Sequence, residues 1–331
     1  MSLTSHLNNP TSPIGQFIKR RFAQTTVLTK AANLQLKAAE TLRPALSGTS
    51  YPYAPIGTAI DYRIRYAFAI TPYRQLVAWH GALELTVKSW ESDDEIPMDW
   101  EDIPEGVPLP IDASGNPFEM TEGPYPIKLV TAFFERLGAT LRTIQPVRRC
   151  LDTKAEHLLD RYCMVLSFFV QVFRSNAYLQ GPLMQPTVKQ SVEELLTIPQ
   201  DSWLDDLSKM FNLFYERYHD LLSGPHILNP TFAGSLDIGG ADADLVVDGC
   251  LIDIKASISP QIKAEYLYQL AGYLLLDYDD QLHMNAVGIY MARQGMLFKW
   301  PVAEFLRQLT GNDGADLGSL RREFRKLFQG I

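Results

Sequence analysis

Asp244, Asp253 and Lys255 are the residues of this chain best suited to chemistry. They lie in Gly239-Gly240-Ala241-Asp242-Ala243-Asp244-Leu245-Val246-Val247-Asp248-Gly249-Cys250-Leu251-Ile252-Asp253-Ile254-Lys255. Side chains alternate across a strand, so residues two apart share a face. Asp242 and Asp244 then share a face of one predicted strand, and Asp253 and Lys255 share a face of the next. Asp248-Gly249 is a strong signal for a two-residue hairpin turn, which makes the two strands neighbours. Asp244 and Asp253 therefore converge, with Lys255 beside them. A hard cation such as Mg²⁺ or Mn²⁺ takes oxygen ligands, commonly one or two carboxylates completed by water and substrate phosphate. It polarises a phosphoryl oxygen and makes its bound water more acidic. The chemistry implied is metal-assisted hydrolysis of a phosphodiester. Asp-x-Lys alone carries little information, because exposed strands often bear both residues. The apolar flanks, and the nine residues from Asp244 to Asp253, raise its weight.

These residues need a sheet to position them, and the apolar pattern supplies one in the last third of the chain. It predicts strands at about Phe232–Ile238, Ala243–Val247 and Cys250–Ala256. A helix from about Pro260 to Leu276 follows. Strands at Asn285–Met291 and Met296–Trp300 turn at Arg293-Gln294-Gly295, and helices at Val302–Leu309 and Leu317–Phe328 close the chain. Ile252 and Ile254 must face a core. The preceding part reads as helical: residues 13–47, then a loop at 48–56, a helix at 56–66, two helices between Pro126 and Tyr178, and an amphipathic helix at 201–222. The expected fold is α/β with a mixed sheet. Residues 1–225 form a mainly helical region with an acidic loop near 89–126, and 226–331 form the catalytic core.

With these residues in place, the segment from about 229 to 310 resembles the PD-(D/E)xK nuclease superfamily, in its RecB-like branch. Asp244 matches the second-motif acid and Asp253-Ile254-Lys255 the third motif. Gln269-x-x-x-Tyr273, fourteen residues after Lys255, matches the Gln/Tyr element of that branch. Gln and Tyr at i and i+4 lie on one helical face. The resemblance implies a restriction-endonuclease-like α-β-β-β-α-β core and metal-dependent hydrolysis of DNA. It implies Mg²⁺ or Mn²⁺ on Asp244, Asp253 and the carbonyl of Ile254, with Lys255 positioning water and Gln269 and Tyr273 supporting the site. The first-motif acid has two candidates. Glu216 precedes the first strand, and Asp61 lies in a helical segment followed by a long insertion. Ala243 stands where many members have proline. Three scattered cysteines, Cys150, Cys163 and Cys250, argue against an iron–sulfur cluster.

At 331 residues and 46% hydrophobic content, a packed globular protein of one large or two ordinary domains is expected. No apolar run is long enough for a membrane span and no signal pattern opens the chain, so the expected location is cytoplasmic. There is no Walker A loop and no His-Glu-x-x-His motif. The net charge of −8 is mostly local: Ser89–Ile127 carries eleven acids and no base, and removing them leaves the rest at +3. The first 43 residues stand at +5, so a basic surface for phosphates remains open. Arg63 and Arg65 read as ion-pair partners more readily than as phosphate contacts. Arg293, between the last two strands, and Lys263, at the start of the Gln269 helix, read by default as exposed turn and helix residues, with a place near the cleft as the alternative. Tyr266, Tyr268, Tyr273 and Tyr278 suit packing, or base stacking if exposed. The leading expectation is a metal-dependent nuclease acting on DNA, in genome maintenance or defence against foreign DNA, with a helicase as a possible partner class. The rival is a catalytically silent member of the fold that binds nucleic acid or assembles with other chains. An RNA substrate is the remaining alternative.

Overall fold

The computed structural model describes residues 2–45, 51–86, 125–144, 153–175, 182–184 and 190–328. The acidic segment and Cys150 fall outside these, apart from the end of that segment at Tyr125 and Pro126. The chain divides into two compact units. One is Gly48–Ser208, and the other joins Met1–Ser47 to Lys209–Ile331.

Three short helices open the chain: α1 (Leu3–Asn8), α2 (Pro13–Arg21) and α3 (Thr26–Ala38). Of these, α2 and α3 fall within the helical stretch expected over 13–47, which breaks at Phe22–Thr25. Ser12 separates α1 from α2. It is extended, its hydroxyl accepts the Gly15 amide, and Pro13 starts α2 at its first position.

The helical unit contains α4 (Tyr53–Phe68), α5 (Val77–Glu84), α6 (Ile127–Ile144), α7 (Thr153–Ser175), α8 (Val192–Leu196) and the first turns of α9 (Asp201–Tyr218). Helix α7 packs against both α4 and α5. Its central residues from Tyr162 to Val170 are buried all round. Gly81 allows the closest approach, since a Cβ there would meet the Phe169 carbonyl oxygen at 1.9 Å. The buried interior also holds charge. Arg63 pairs with Glu156 and, at 3.3 Å, with Asp160, while Arg65 pairs with Asp61 one turn earlier.

The sheet unit has five strands in the order β1-β2-β3-β4-β5: β1 (His226–Leu228), β2 (Leu245–Val247), β3 (Cys250–Lys255), β4 (Ala286–Met291) and β5 (Met296–Pro301). Strands β3 and β4 run parallel and every other pair is antiparallel. The parallel pair needs a crossover, supplied by α10 (Ala264–Leu276). Helices α11 (Val302–Thr310) and α12 (Leu317–Arg325) complete the unit. Asp248 and Gly249 both have positive φ, at 50° and 73°, and join Val247 to Cys250 as a two-residue turn.

Further expectations need correction. Strand β2 starts at Leu245 rather than Ala243, which leaves Asp242 and Asp244 ahead of it, and α4 begins inside the loop expected at 48–56. The first strand is His226–Leu228, not Phe232–Ile238. Residues 232–241 fold on themselves because Ser235 Oγ accepts the Phe232 amide and donates to the Ala241 carbonyl. Helix α10 starts at Ala264, four residues after Pro260, because both backbone groups of Ile262 are bonded to the Asn33 side chain. The boundary at 225/226 also fails: the N-terminal helices belong with the sheet. Leu3, Leu7, Ile14, Phe17, Ile18, Phe22, Leu28 and Leu36 share one core with α10 and with Val246, Leu251, Val287 and Ile289 of the sheet. Full burial of each such side chain is worth about 1.5–3 kcal/mol, ample to hold the segment there.

Candidate active site

The two ladders flanking β3 end at different points. Strand β4 follows β3 to Lys255, but β2 pairs with it only as far as Leu245↔Ile252. Before Leu245 the chain bonds to residues 229–231 instead. Asp242 bridges Thr231, the Ala243 amide reaches the Pro230 carbonyl at 3.1 Å, and the Asp244 carbonyl accepts the Asn229 amide at 3.0 Å. The Ile254 amide is thereby left beyond the β2 ladder. The Asp244 carboxylate takes it, with Oδ2 at 2.6 Å. A carboxylate thus finishes the sheet where Asp253 and Lys255 emerge.

Lys255 Nζ lies 2.7 Å from Asp253 Oδ2 and donates to Gln269 Oε1 at 2.9 Å. Gln269 Nε2 in turn donates to the Tyr273 hydroxyl at 2.6 Å. An ammonium only donates, so the amide oxygen must face Lys255 and the amide nitrogen Tyr273. The Tyr273 ring stacks on Phe232 with centroids 5.2 Å apart. Tyr266, one turn before Gln269 on α10, sets its ring 5.1 Å from Lys255 Nζ.

Burial sets the electrostatics. Asp253 is 2% exposed, and burial pushes its carboxyl above the ordinary aspartate range against the pull of the Lys255 ammonium. Burial draws Lys255 down, but the carboxylates of Asp253 and Asp244 outweigh it, so Lys255 lies above the usual lysine value and stays charged. Burial also lifts the Tyr273 phenol well above its usual value, reinforced by Asp253, Asp244 and Asp242. It remains a neutral hydrogen-bonding group.

Asp244, Asp253, Lys255, Gln269 and Tyr273 are therefore brought together as expected, and Ile254 joins them through its amide. Ile252 and Ile254 are buried on the other face. There Tyr290, the register partner of Ile254, meets the rings of Phe214 and Tyr218 at 5.4 and 5.6 Å. Those two residues belong to α9, so α9 covers the face opposite Asp253 and Lys255. Glu216 sits between them in sequence, exposed on the outer side of the helix, and does not join the site. Asp61 belongs to the helical unit, where it pairs with Arg65. Among the described residues no three His, Cys, Asp or Glu side chains stand together as a ligand set.

The remaining candidates sort by burial. Arg63 and Arg65 make the ion pairs expected of them. Arg293 is fully buried and is not a cleft residue: Nε donates to the Ala256 carbonyl at 2.9 Å and Nη1 to the Leu42 carbonyl at 3.2 Å. It ties the N-terminal segment to the residue after Lys255. Lys263 is exposed at the start of α10. Tyr278 donates to Asp237 at 2.9 Å. Cys163 and Cys250 are buried free thiols, and Cys250 Sγ donates to the Leu251 carbonyl at 3.9 Å. Sequence reasoning missed the role of Tyr266, although its spacing of three from Gln269 places both on one face. It also missed Asn33, for which no sequence signal exists.

No protein-family model, curated protein or solved structure matches the chain. Among the described residues no helix is long and apolar enough to cross a membrane.

Proposed function

We propose that this chain is a metal-dependent nuclease of the PD-(D/E)xK type that hydrolyses DNA phosphodiester bonds. One observation carries the reading: Asp253 and Lys255 meet at 2.7 Å where β3 emerges, with Asp244 bonded to the amide between them and Gln269–Tyr273 behind the lysine. The order α9-β1-β2-β3-α10-β4 supports it, because it is the α-β-β-β-α-β order the resemblance implies.

The residues fit Mg²⁺ or Mn²⁺ in a particular way. Two carboxylates, with the Ile254 carbonyl as a further oxygen, suit an ion that keeps several waters, and do not suit an all-protein cage. The buried Asp253 Oδ2 is held by the Lys255 ammonium at 2.7 Å, so a cation there would share an anionic oxygen with that lysine. When bound, such an ion supplies a polarised phosphoryl oxygen and a more acidic water. The chain supplies the rest. Lys255 keeps its proton on Nζ and offers an N–H to the attacking water or to developing negative charge. Gln269 fixes the direction of that N–H, and Tyr273 fixes Gln269.

The test compares wild type with Lys255→Ala on linear and circular DNA, single- and double-stranded, with Mn²⁺, Mg²⁺ or EDTA. Cleavage that needs metal and vanishes in the variant supports the reading. Cutting of closed circles identifies an endonuclease, and dependence on a free end an exonuclease. Matched RNA oligonucleotides examine the 2′-OH. The silent, binding-only reading draws on the two-carboxylate donor set. It requires that Mn²⁺ affinity be the same in wild type and Asp253→Asn.

A further inference from the structure

Helix α3 is hydrogen-bonded through Asn33 to the connection that leads from Lys255 to α10. Asn33 Nδ2 donates to the Ile262 carbonyl at 3.1 Å, and Asn33 Oδ1 accepts the Ile262 amide at 2.6 Å. Ile262 lies in the connection from Lys255 to α10, directly before Lys263. Successive residues of a helix are about 100° apart. Around α3, Lys37 and Lys30 therefore follow Asn33, and Leu34 and Val27 follow the lysines. Leu28, Ala32 and Leu36 point the other way, into the core. Lys30, Lys37 and Lys263 are exposed. So are Leu34 at 74% and Val27 at 56%, among the most exposed large apolar side chains described. No acid interrupts α3.

The surface beside the connection is thus a row of cations bordered by an apolar strip. A duplex turns its phosphates outward and keeps its bases stacked inside, which leaves two exposed apolar side chains with nothing to cover them. A single strand offers phosphates and unstacked bases together. We propose that this face of α3, with Lys263, is the track on which single-stranded DNA approaches the site. The lysines contact phosphates, and Leu34 and Val27 lie against bases and sugars. The direction of approach rests on the nuclease reading, but the binding itself requires no catalysis.

The experiment measures binding of a labelled single-stranded oligodeoxynucleotide to the full chain in EDTA, over a range of KCl concentrations. The variants are Lys30→Gln/Lys37→Gln/Lys263→Gln and, separately, Leu34→Ser. The triple variant is expected to lose affinity about ten-fold or more at low salt and to flatten the log–log salt slope by about 2, close to 0.7 per lost phosphate contact. Leu34→Ser should weaken binding several-fold and leave the slope unchanged. All four residues are exposed, so unchanged thermal melting is the control for folding. Unchanged affinity and slope in the triple variant overturn the proposal, as does tighter binding of duplex DNA or of RNA. Because no metal is present, the two readings fail separately. Lysine-dependent binding without cleavage under any metal retains the track and removes the nuclease. Metal-dependent cleavage with binding indifferent to the three lysines does the reverse.

Discussion

The Asp244 carboxylate accepts the backbone amide of Ile254 at 2.6 Å, at the point where the β2–β3 ladder has ended. Asp244 is therefore both the closing bond of a sheet and one of two carboxylates that could hold a metal, and two substitutions separate these roles. Asp244→Ala strips a buried amide of its acceptor and should cost about 1–3 kcal/mol of stability. Asp244→Asn keeps an acceptor oxygen and removes the charge. It should unfold near wild type in urea, yet bind Mn²⁺ at least ten-fold more weakly by titration calorimetry. Equal Mn²⁺ affinity in Asp244→Asn and wild type would leave Asp244 a purely structural role.

The line Lys255–Gln269–Tyr273 makes a graded prediction. Under the proposed function, Gln269→Ala removes the amide that orients the Lys255 N–H and should lower kcat by roughly 10- to 100-fold, the scale of losing a general-catalysis or positioning contact. Tyr273→Phe keeps the ring on Phe232 and leaves Gln269 Nε2 without its acceptor, so it should fall between Gln269→Ala and wild type. Turnover kinetics of the three proteins decide the order. A Tyr273→Phe effect larger than that of Gln269→Ala would contradict the geometry.

Asp160 gives the helical unit a pH dependence. It is fully buried beside Arg63, Glu156 and Cys163 and accepts a hydrogen bond from Ser208. Burial raises its pKa to about 7, although Arg63 and Ser208 pull the other way. An unfolded aspartate titrates at about 3.9. Between these values the folded chain holds a proton that the unfolded chain has released. Stability therefore falls as pH rises from about 4 to about 7 and has no further slope from this group above that. Urea denaturation followed by circular dichroism at several pH values should show this decline. Asp160→Asn, which cannot titrate, should flatten it.

Asn33 makes the fourth prediction. Asn33→Ala deletes both bonds to Ile262 and should destabilise by about 1–3 kcal/mol. Asn33→Asp retains an acceptor for the Ile262 amide but no donor for its carbonyl, and should lie between alanine and wild type. Denaturant midpoints of the three proteins check the ranking. Midpoints that all coincide would mean that packing of α3 alone holds the connection.

Local patterns in the sequence were enough to place β3, β4, β5, the Asp-Gly turn and the helix carrying Gln269 and Tyr273, because strand alternation, turn chemistry and helical spacing are local properties. They were also enough to bring Asp244, Asp253 and Lys255 into one neighbourhood, since a two-residue turn leaves adjacent strands little freedom. Only the tertiary structure decided three other matters. It put the first strand at His226–Leu228, because a serine inside the following segment bonds the chain back on itself. It set Glu216 on the outer side of a helix on the opposite face, since which face a helix covers depends on partners distant in sequence. And it joined residues 1–47 to the sheet, through apolar burial and through single side chains such as Asn33 and Arg293 that reach across more than two hundred residues. No periodicity encodes such contacts: each depends on two chain segments whose proximity arises only when the whole core assembles.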